Sequence, residues 1–195
     1  MTNNLIALAL GYLLGSIPFG LIFAALSGAG DVRKIGSGNI GATNVLRTGK
    51  KWAAAATLIF DAGKGALAIY LARHFFGDLA SVIAGAGAFF GHLFPVWLKF
   101  KGGKGVATFF GIALMLNWML GIAALLTWIV AALIWRISSL SALVAAILTP
   151  LYFLLWHQRL YSALMLFLAI MIFIMHRENI ARLLRGEEPR IGAKK

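Results

Sequence analysis

Residues 106–135 read VATFFGIALMLNWMLGIAALLTWIVAALIW, thirty positions without a Lys, Arg, Asp or Glu. About 20 apolar residues cross a hydrocarbon core, so this run is either one tilted helix or two short ones joined near Asn117. Five further apolar segments lie at 5–26, 52–72, 79–98, 137–156 and 160–175. The basic residues between them decide how the thirty divide. If they form one span, the loops carry nine Lys and Arg on one side and eight on the other, which sets no orientation. If they divide, fifteen lie on one side and only Arg73 and Arg159 on the other, as the positive-inside rule expects. The sequence therefore predicts an all-α integral membrane protein with seven transmembrane helices, N-terminus outside and C-terminus cytoplasmic, residues 1–195 forming a single membrane-embedded domain.

Composition points the same way. With 61% hydrophobic and 12% charged residues, and a mean hydropathy of +0.88, the chain has too little polar surface to cover a soluble globule. Residues 1–4 contain no Lys or Arg and 5–26 is long enough to span, which reads as a first membrane helix rather than a removable signal. The absence of Cys excludes disulfides, thiolate metal sites and thiol nucleophiles. The net charge of +12 sits in short loops, where topology explains most of it, so no nucleic-acid partner is expected. Gly63, Gly65, Gly85, Gly87 and Gly91 suit close helix packing. No internal repeat is evident, which weighs against an inverted-repeat carrier.

Fourteen of the eighteen Lys and Arg fall in three breaks, 31–51, 99–104 and 176–195. That clustering suggests an anion site at one membrane face. The first break contains Gly36-Ser37-Gly38-Asn39-Ile40-Gly41-Ala42-Thr43-Asn44-Val45-Leu46-Arg47. Its glycines let backbone amides converge on an anion, Ser37 and Thr43 add hydroxyls, and Arg47 can grip a phosphate bidentately. A flexible turn would also use glycine, but Asn39 and Asn44 argue against a mere linker.

The second break, Lys99-Phe100-Lys101-Gly102-Gly103-Lys104-Gly105, precedes an expected helix start, where free amides and Lys104 favour bound negative charge. It is no nucleotide P-loop, because neither Lys104 nor Lys64 is followed by Ser or Thr. The third, from His176 through Asn179, Arg182 and Arg185 to Glu188, reads as a cytoplasmic continuation of the last membrane helix, with His176 and Asn179 on one face. A basic tail resting on anionic lipid is the competing reading for its arginines. Asp61 and Lys64, inside the second span, pair with each other or with polar groups in the bundle, either as a structural pair or as an extension of the cytoplasmic pocket. His74, His92 and His157 read as capping or packing residues, and no His, Asp and Glu cluster has metal-site spacing.

Taken together and in this order, the segments 36–47, 94–108 and 176–188 closely resemble the bacterial acyl-phosphate:glycerol-3-phosphate acyltransferase family called PlsY. The resemblance covers essentially the whole chain. It implies that Ser37, Asn39, Asn44 and Arg47 belong to an active site, with Thr43 beside them. It also implies that Gly102, Gly103 and Lys104 help bind glycerol 3-phosphate, that His176 and Asn179 are critical polar residues, and that Glu188 supports structure. The implied partners are glycerol 3-phosphate, a fatty acyl phosphate and membrane lipids. The implied product is lysophosphatidic acid, with no cofactor, and the implied place is the bacterial inner membrane, the site facing the cytoplasm.

A mixed anhydride is already activated, so no covalent enzyme intermediate is needed. None of the four histidines has an Asp five places later, the spacing of many other glycerolipid acyltransferases. The proton of the attacking hydroxyl would go to the departing phosphate or to His176. Without the resemblance, a transporter for phosphate or a phosphorylated metabolite would be a close competitor. Only Asp61 and Lys64 lie well inside a span, however, so no charged path leads across.

Overall fold

The computed structural model describes residues 1–192; Lys194 and Lys195, counted above among the basic residues, lie outside them. Among the described residues every regular element is helical. Five helices are long and apolar enough to cross a membrane, or six if Arg159–Met175 and Arg177–Leu184, bent by 63°, make one span. Large apolar side chains point outward along them, Leu133 and Leu155 being 74% and 77% exposed. Such surfaces belong in lipid. The chain falls into two compact units, Met1–Met115 and the remainder from Leu116.

The first unit contains α1 (Thr2–Gly15), α2 (Phe19–Leu26), α3 (Ala42–Leu46), α4 (Lys51–Phe76) and α5 (Asp78–Leu93), and α6 (Val106–Leu116) closes it. The first membrane helix expected over 5–26 is one candidate span, Thr2–Leu26, interrupted by a short break between α1 and α2. Pro18 has no amide to donate and cannot continue the ladder. The Ile17 carbonyl at the break accepts from the Phe19 amide at 3.1 Å and from Lys64 Nζ at 2.9 Å.

Glycine lets α1 and α5 touch along their length. A methyl at Gly11 or Gly15 would overlap the backbone of Ala84 or Ala88, and one at Gly87 or Gly91 the backbone of Leu8 or Tyr12. The seam is filled by Ala7, Ala68, Ala72, Ala80, Ala84 and Ala88. Without a hydrophobic drive inside lipid, close approach of small residues is what holds such helices together. Gly65 likewise receives Thr108 and Ile112 of α6. Gly63 departs from the expectation: it faces open space and borders an apolar cavity of about 380 Å³ with Leu14, Phe60 and Leu67.

The thirty-residue run does divide at Asn117. The Asn117 carboxamide oxygen accepts from the amides of Met119 and Leu120 at 3.1 and 3.3 Å, capping a new helix where the old one ends. The second unit comprises α7 (Trp118–Trp135), α8 (Ser138–Leu155), α9 (Arg159–Met175) and α10 (Arg177–Leu184). Helix α8 packs against both α7 and α9. Thr127 and Tyr152 hydroxyls meet at 2.7 Å between α7 and α8, and Ser162 of α9 donates to the Pro150 carbonyl at 2.8 Å. The continuous last helix expected beyond 175 is corrected. His176 Nδ1 lies 2.8 Å from the Ile172 carbonyl, which its own amide also uses, and α10 leaves at a new angle.

Candidate active site

In the first unit the polar segments are hung on α4. Helices α4 and α5 form a hairpin through Gly77, whose φ of +87° only glycine adopts easily. The segment entering α4 and the segment leaving α5 are therefore brought to the same end of that hairpin. Along α4, Thr57 lies against Gly20 of α2, which in turn meets the first segment, since a methyl at Gly20 would meet both Ile40 O and the Thr57 side chain. Asp61, one turn and about 6 Å further on, backs the second. Its carbonyl accepts from Thr108 Oγ1 at 2.9 Å, and its carboxylate lies 2.7 Å from Lys64 Nζ and 3.6 Å from His92 Nδ1.

The first segment is organised from within by Asn44, which is 2% exposed. Its Nδ2 lies within hydrogen-bonding distance of the carbonyls of Val32, Ile35 and Asn39 at 2.8, 3.0 and 2.8 Å. Its Oδ1 accepts from Ser37 N at 3.2 Å and Arg47 Nη1 at 3.4 Å. This revises the expectation that the glycine-rich backbone forms a nest of free amides. The Ser37 amide is spent on Asn44 and the Gly38 amide on the Ile35 carbonyl at 3.0 Å. Gly36 and Gly38, with φ of +56° and +69°, make the turn, and Gly36 leaves room for the Arg47 guanidinium. Ser37, Thr43 and Arg47 lie on the exposed side, with Asn39 half-buried. Arg33 is folded onto Asp31, with Nη2 to Oδ2 at 2.7 Å; these hydrogen bonds hold the Asp31 carboxyl down at about 2.

The second segment returns to the end of α5 after an excursion through Pro95, where Tyr12 OH donates to the Phe94 carbonyl at 2.8 Å. Gly102 N donates to Leu93 O and Gly103 N to His92 O at 2.9 and 3.0 Å. Gly103 is buried, while Gly102 and Lys104 are half-buried.

In the second unit, His176 and Asn179 are 3% and 6% exposed. With its Nδ1 proton donated to the Ile172 carbonyl, a neutral His176 ring has its lone pair on Nε2. Asn179 Nδ2 donates to Glu188 Oε1 at 2.5 Å, Ser139 Oγ donates to the same oxygen at 2.6 Å, and Arg182 Nε donates to Oε2 at 2.6 Å. Nothing in the sequence marked Ser139 for this task. Burial opposes ionisation of Glu188, but the donors from Ser139, Asn179 and Arg182 prevail and hold its carboxyl below the usual range.

A lowered folded value means that this stabilisation is present above the unfolded carboxylate range and is lost as pH falls through the folded value. Glu188→Gln, which turns an amide toward Arg182, should cost about 2 kcal/mol at neutral pH. The gap in thermal midpoint from the parent should narrow as pH falls below the ordinary carboxylate range and close below the lowered folded value. Equal midpoints at neutral pH would remove Glu188 from the support of Asn179.

The geometry assembles the first and second segments on one helix and ties Asn179 to Glu188. Comparison with known proteins gives the arrangement its context. Proteins named glycerol-3-phosphate acyltransferase from Dinoroseobacter shibae and Caulobacter vibrioides are similar throughout. The first is 64% identical over 184 residues, 94% of this chain and 91% of its own. The second is 61% identical over 193 residues, 97% and 88% of the two chains. A crystal structure of PlsY, described as an integral membrane glycerol 3-phosphate acyltransferase in its glycerol 3-phosphate form, superposes with a TM-score of 0.92 at 35% identity. It covers 97% of this chain and 96% of that one. Its lysophosphatidic acid form gives 0.88 at 33% identity, covering 97% and 95%. Residues 5–186, which include Ser37, Arg47, Lys104, His176 and Asn179, match one family from end to end, and the chain belongs to the glycerol-3-phosphate acyltransferase family.

Proposed function

We propose that this protein transfers a fatty acyl group from an acyl phosphate to the 1-hydroxyl of glycerol 3-phosphate, giving lysophosphatidic acid and phosphate. This is the first acylation of bacterial phospholipid synthesis, without acyl-CoA, acyl carrier protein or a cofactor. The observation that carries it is the family match over residues 5–186, which takes in the first two polar segments and the third as far as Gly186.

The 1-hydroxyl oxygen attacks the acyl carbonyl, a C–O ester bond forms, the carbonyl–phosphate bond breaks, and the hydroxyl proton leaves with the phosphate or passes to His176 Nε2. Both reactants are anions, so the chain's task is to neutralise and align them. Arg47 and Lys104 supply the charge, Ser37, Asn39 and Thr43 supply polar contacts, Gly102 and Gly103 admit the phosphate closely, and His176 and Asn179 are the catalytic polar residues. Asn44 serves this site by shaping the segment that carries Ser37 and Arg47.

The chain acts as one membrane-embedded enzyme of the bacterial inner membrane, among its lipids, with seven crossings, N-terminus outside and the site facing the cytoplasm. The fifteen-to-two division of basic residues supports that orientation. The seventh crossing is α6 with its 11 residues, about 16 Å of helix, and the hairpin of α4 and α5 supports a shared face for the first two segments.

The test uses purified protein in detergent with acyl phosphate and labelled glycerol 3-phosphate. Lysophosphatidic acid should form with no gradient present; counterflow in liposomes without product would make the protein a carrier instead. Lys104→Met should lower kcat/KM about a hundredfold, the order expected when one member of a close charge pair is truncated. His176→Ala with kcat retained would assign the proton to the departing phosphate.

A further inference from the structure

Buried beneath Gly102–Lys104 lies a polar cluster for which the acyl transfer has no use. Asp61, Lys64 and His92 are 2%, 4% and 4% exposed, in a stretch where isolated ionisable groups are costly and carry function by default. Lys64 Nζ bridges Asp61 Oδ1 at 2.7 Å and the Ile17 carbonyl at 2.9 Å. Thr108 ties the Asp61 backbone to the first turn of α6. The carboxylate so fixed stands 3.6 Å from His92 Nδ1, longer than a hydrogen bond, and this nitrogen has no other partner.

The opposite edge of the imidazole points at Gly103. The three atoms nearest a methyl built on Gly103 are Nε2, Cε1 and Cδ2 of His92, all close enough to overlap. The Gly103 backbone does not lie in the left-handed region, so it is the His92 ring, not the turn, that requires glycine there. Gly102 is different: its methyl would meet the main-chain carbonyls of His92 and Leu93, which no change of side chain can remove.

We propose that His92, braced from behind by Asp61 and Lys64, is a positioning residue for the phosphate of glycerol 3-phosphate. Its imidazole is the floor on which Gly103 rests, and it sets where Gly102, Gly103 and Lys104 meet the anion without touching it. The proposal rests on the reading that this loop binds glycerol 3-phosphate.

The experiment is a double-mutant cycle on the full-length protein in detergent, reading KM for glycerol 3-phosphate, KM for acyl phosphate, kcat and thermal midpoint. His92→Ala should raise KM for glycerol 3-phosphate several-fold, leaving KM for acyl phosphate within about twofold, a split that general loosening of the fold would not produce. Gly103→Ala should raise the same KM about tenfold, the order of an overpacked contact. In the double variant the two penalties should not add, because the methyl now occupies the space the ring left, whereas His92→Ala with Gly102→Ala should add fully.

If His92→Ala does not fold, His92→Asn carries the same cycle, since it keeps an amide toward Asp61 and removes the Nε2 and Cε1 edge. Additive penalties at 92 and 103, or an unchanged KM on replacing His92, would overturn the proposal while leaving the loop as the binding site. Unchanged KM in Gly102→Ala, Gly103→Ala and Lys104→Met together would overturn that reading, and the proposal with it.

Discussion

Asn44→Asp should lower kcat/KM by about a hundredfold or more, since roughly 3 kcal/mol of misplaced charge suffices for that. The change is one atom in size. It replaces the Nδ2 that faces the carbonyls of Val32, Ile35 and Asn39 with a carboxylate oxygen that those carbonyls repel. One carboxylate oxygen keeps Ser37 N and Arg47 Nη1, but the other is buried against three carbonyls with no donor, a misfit of about 2–5 kcal/mol; the segment 32–47 can avoid that cost by unfolding locally, which releases Ser37 and Arg47. Asn44→Ala should be milder, because it leaves carbonyls unsatisfied without adding charge. Parent-like kcat/KM in Asn44→Asp, measured beside the thermal midpoint, would show that Asn44 does not organise the segment.

The second large effect is on assembly. Gly91→Val should destabilise the first unit by about 3 kcal/mol or more, beyond ordinary overpacking, because the new side chain meets main-chain atoms of Tyr12, Gly15 and Ser16. Flexible side chains swing aside; a helix backbone does not. The expected readout is a fall in the yield of monodisperse protein and in the thermal midpoint, with Gly63→Ala as the contrast. Gly63 faces open space, and Ala there gains up to about 1 kcal/mol of helix propensity. If Gly91→Val and Gly63→Ala melt alike, close contact between α1 and α5 does not hold the unit.

The sequence made much of this legible where a local signal sufficed. Charge asymmetry asked for a break near Asn117, and the Asn117 side chain supplies the cap that makes one. The glycines of α4 and α5 announced close packing, although nothing in the pattern distinguished Gly91, pressed on a backbone, from Gly63, facing a cavity. Other features depend on residues far apart in the chain. The break at Pro18 becomes intelligible once Lys64, 47 positions away, is seen sharing the task of satisfying Ile17. Asn44 looked like one polar group among several, and its buried role depends on three carbonyls converging in space. The bend at His176 and the donation of Ser139 to Glu188 carry no periodic signal.

Both cationic loops of the first unit are referred to a single 26-residue rod, α4. A displacement of that rod would carry them in step, so the spacing between Arg47 and Lys104 would vary less than the position of either. For the proposed acyl transfer such coupling would let the soft surrounding bilayer jostle the unit while the two cationic loops keep their mutual spacing.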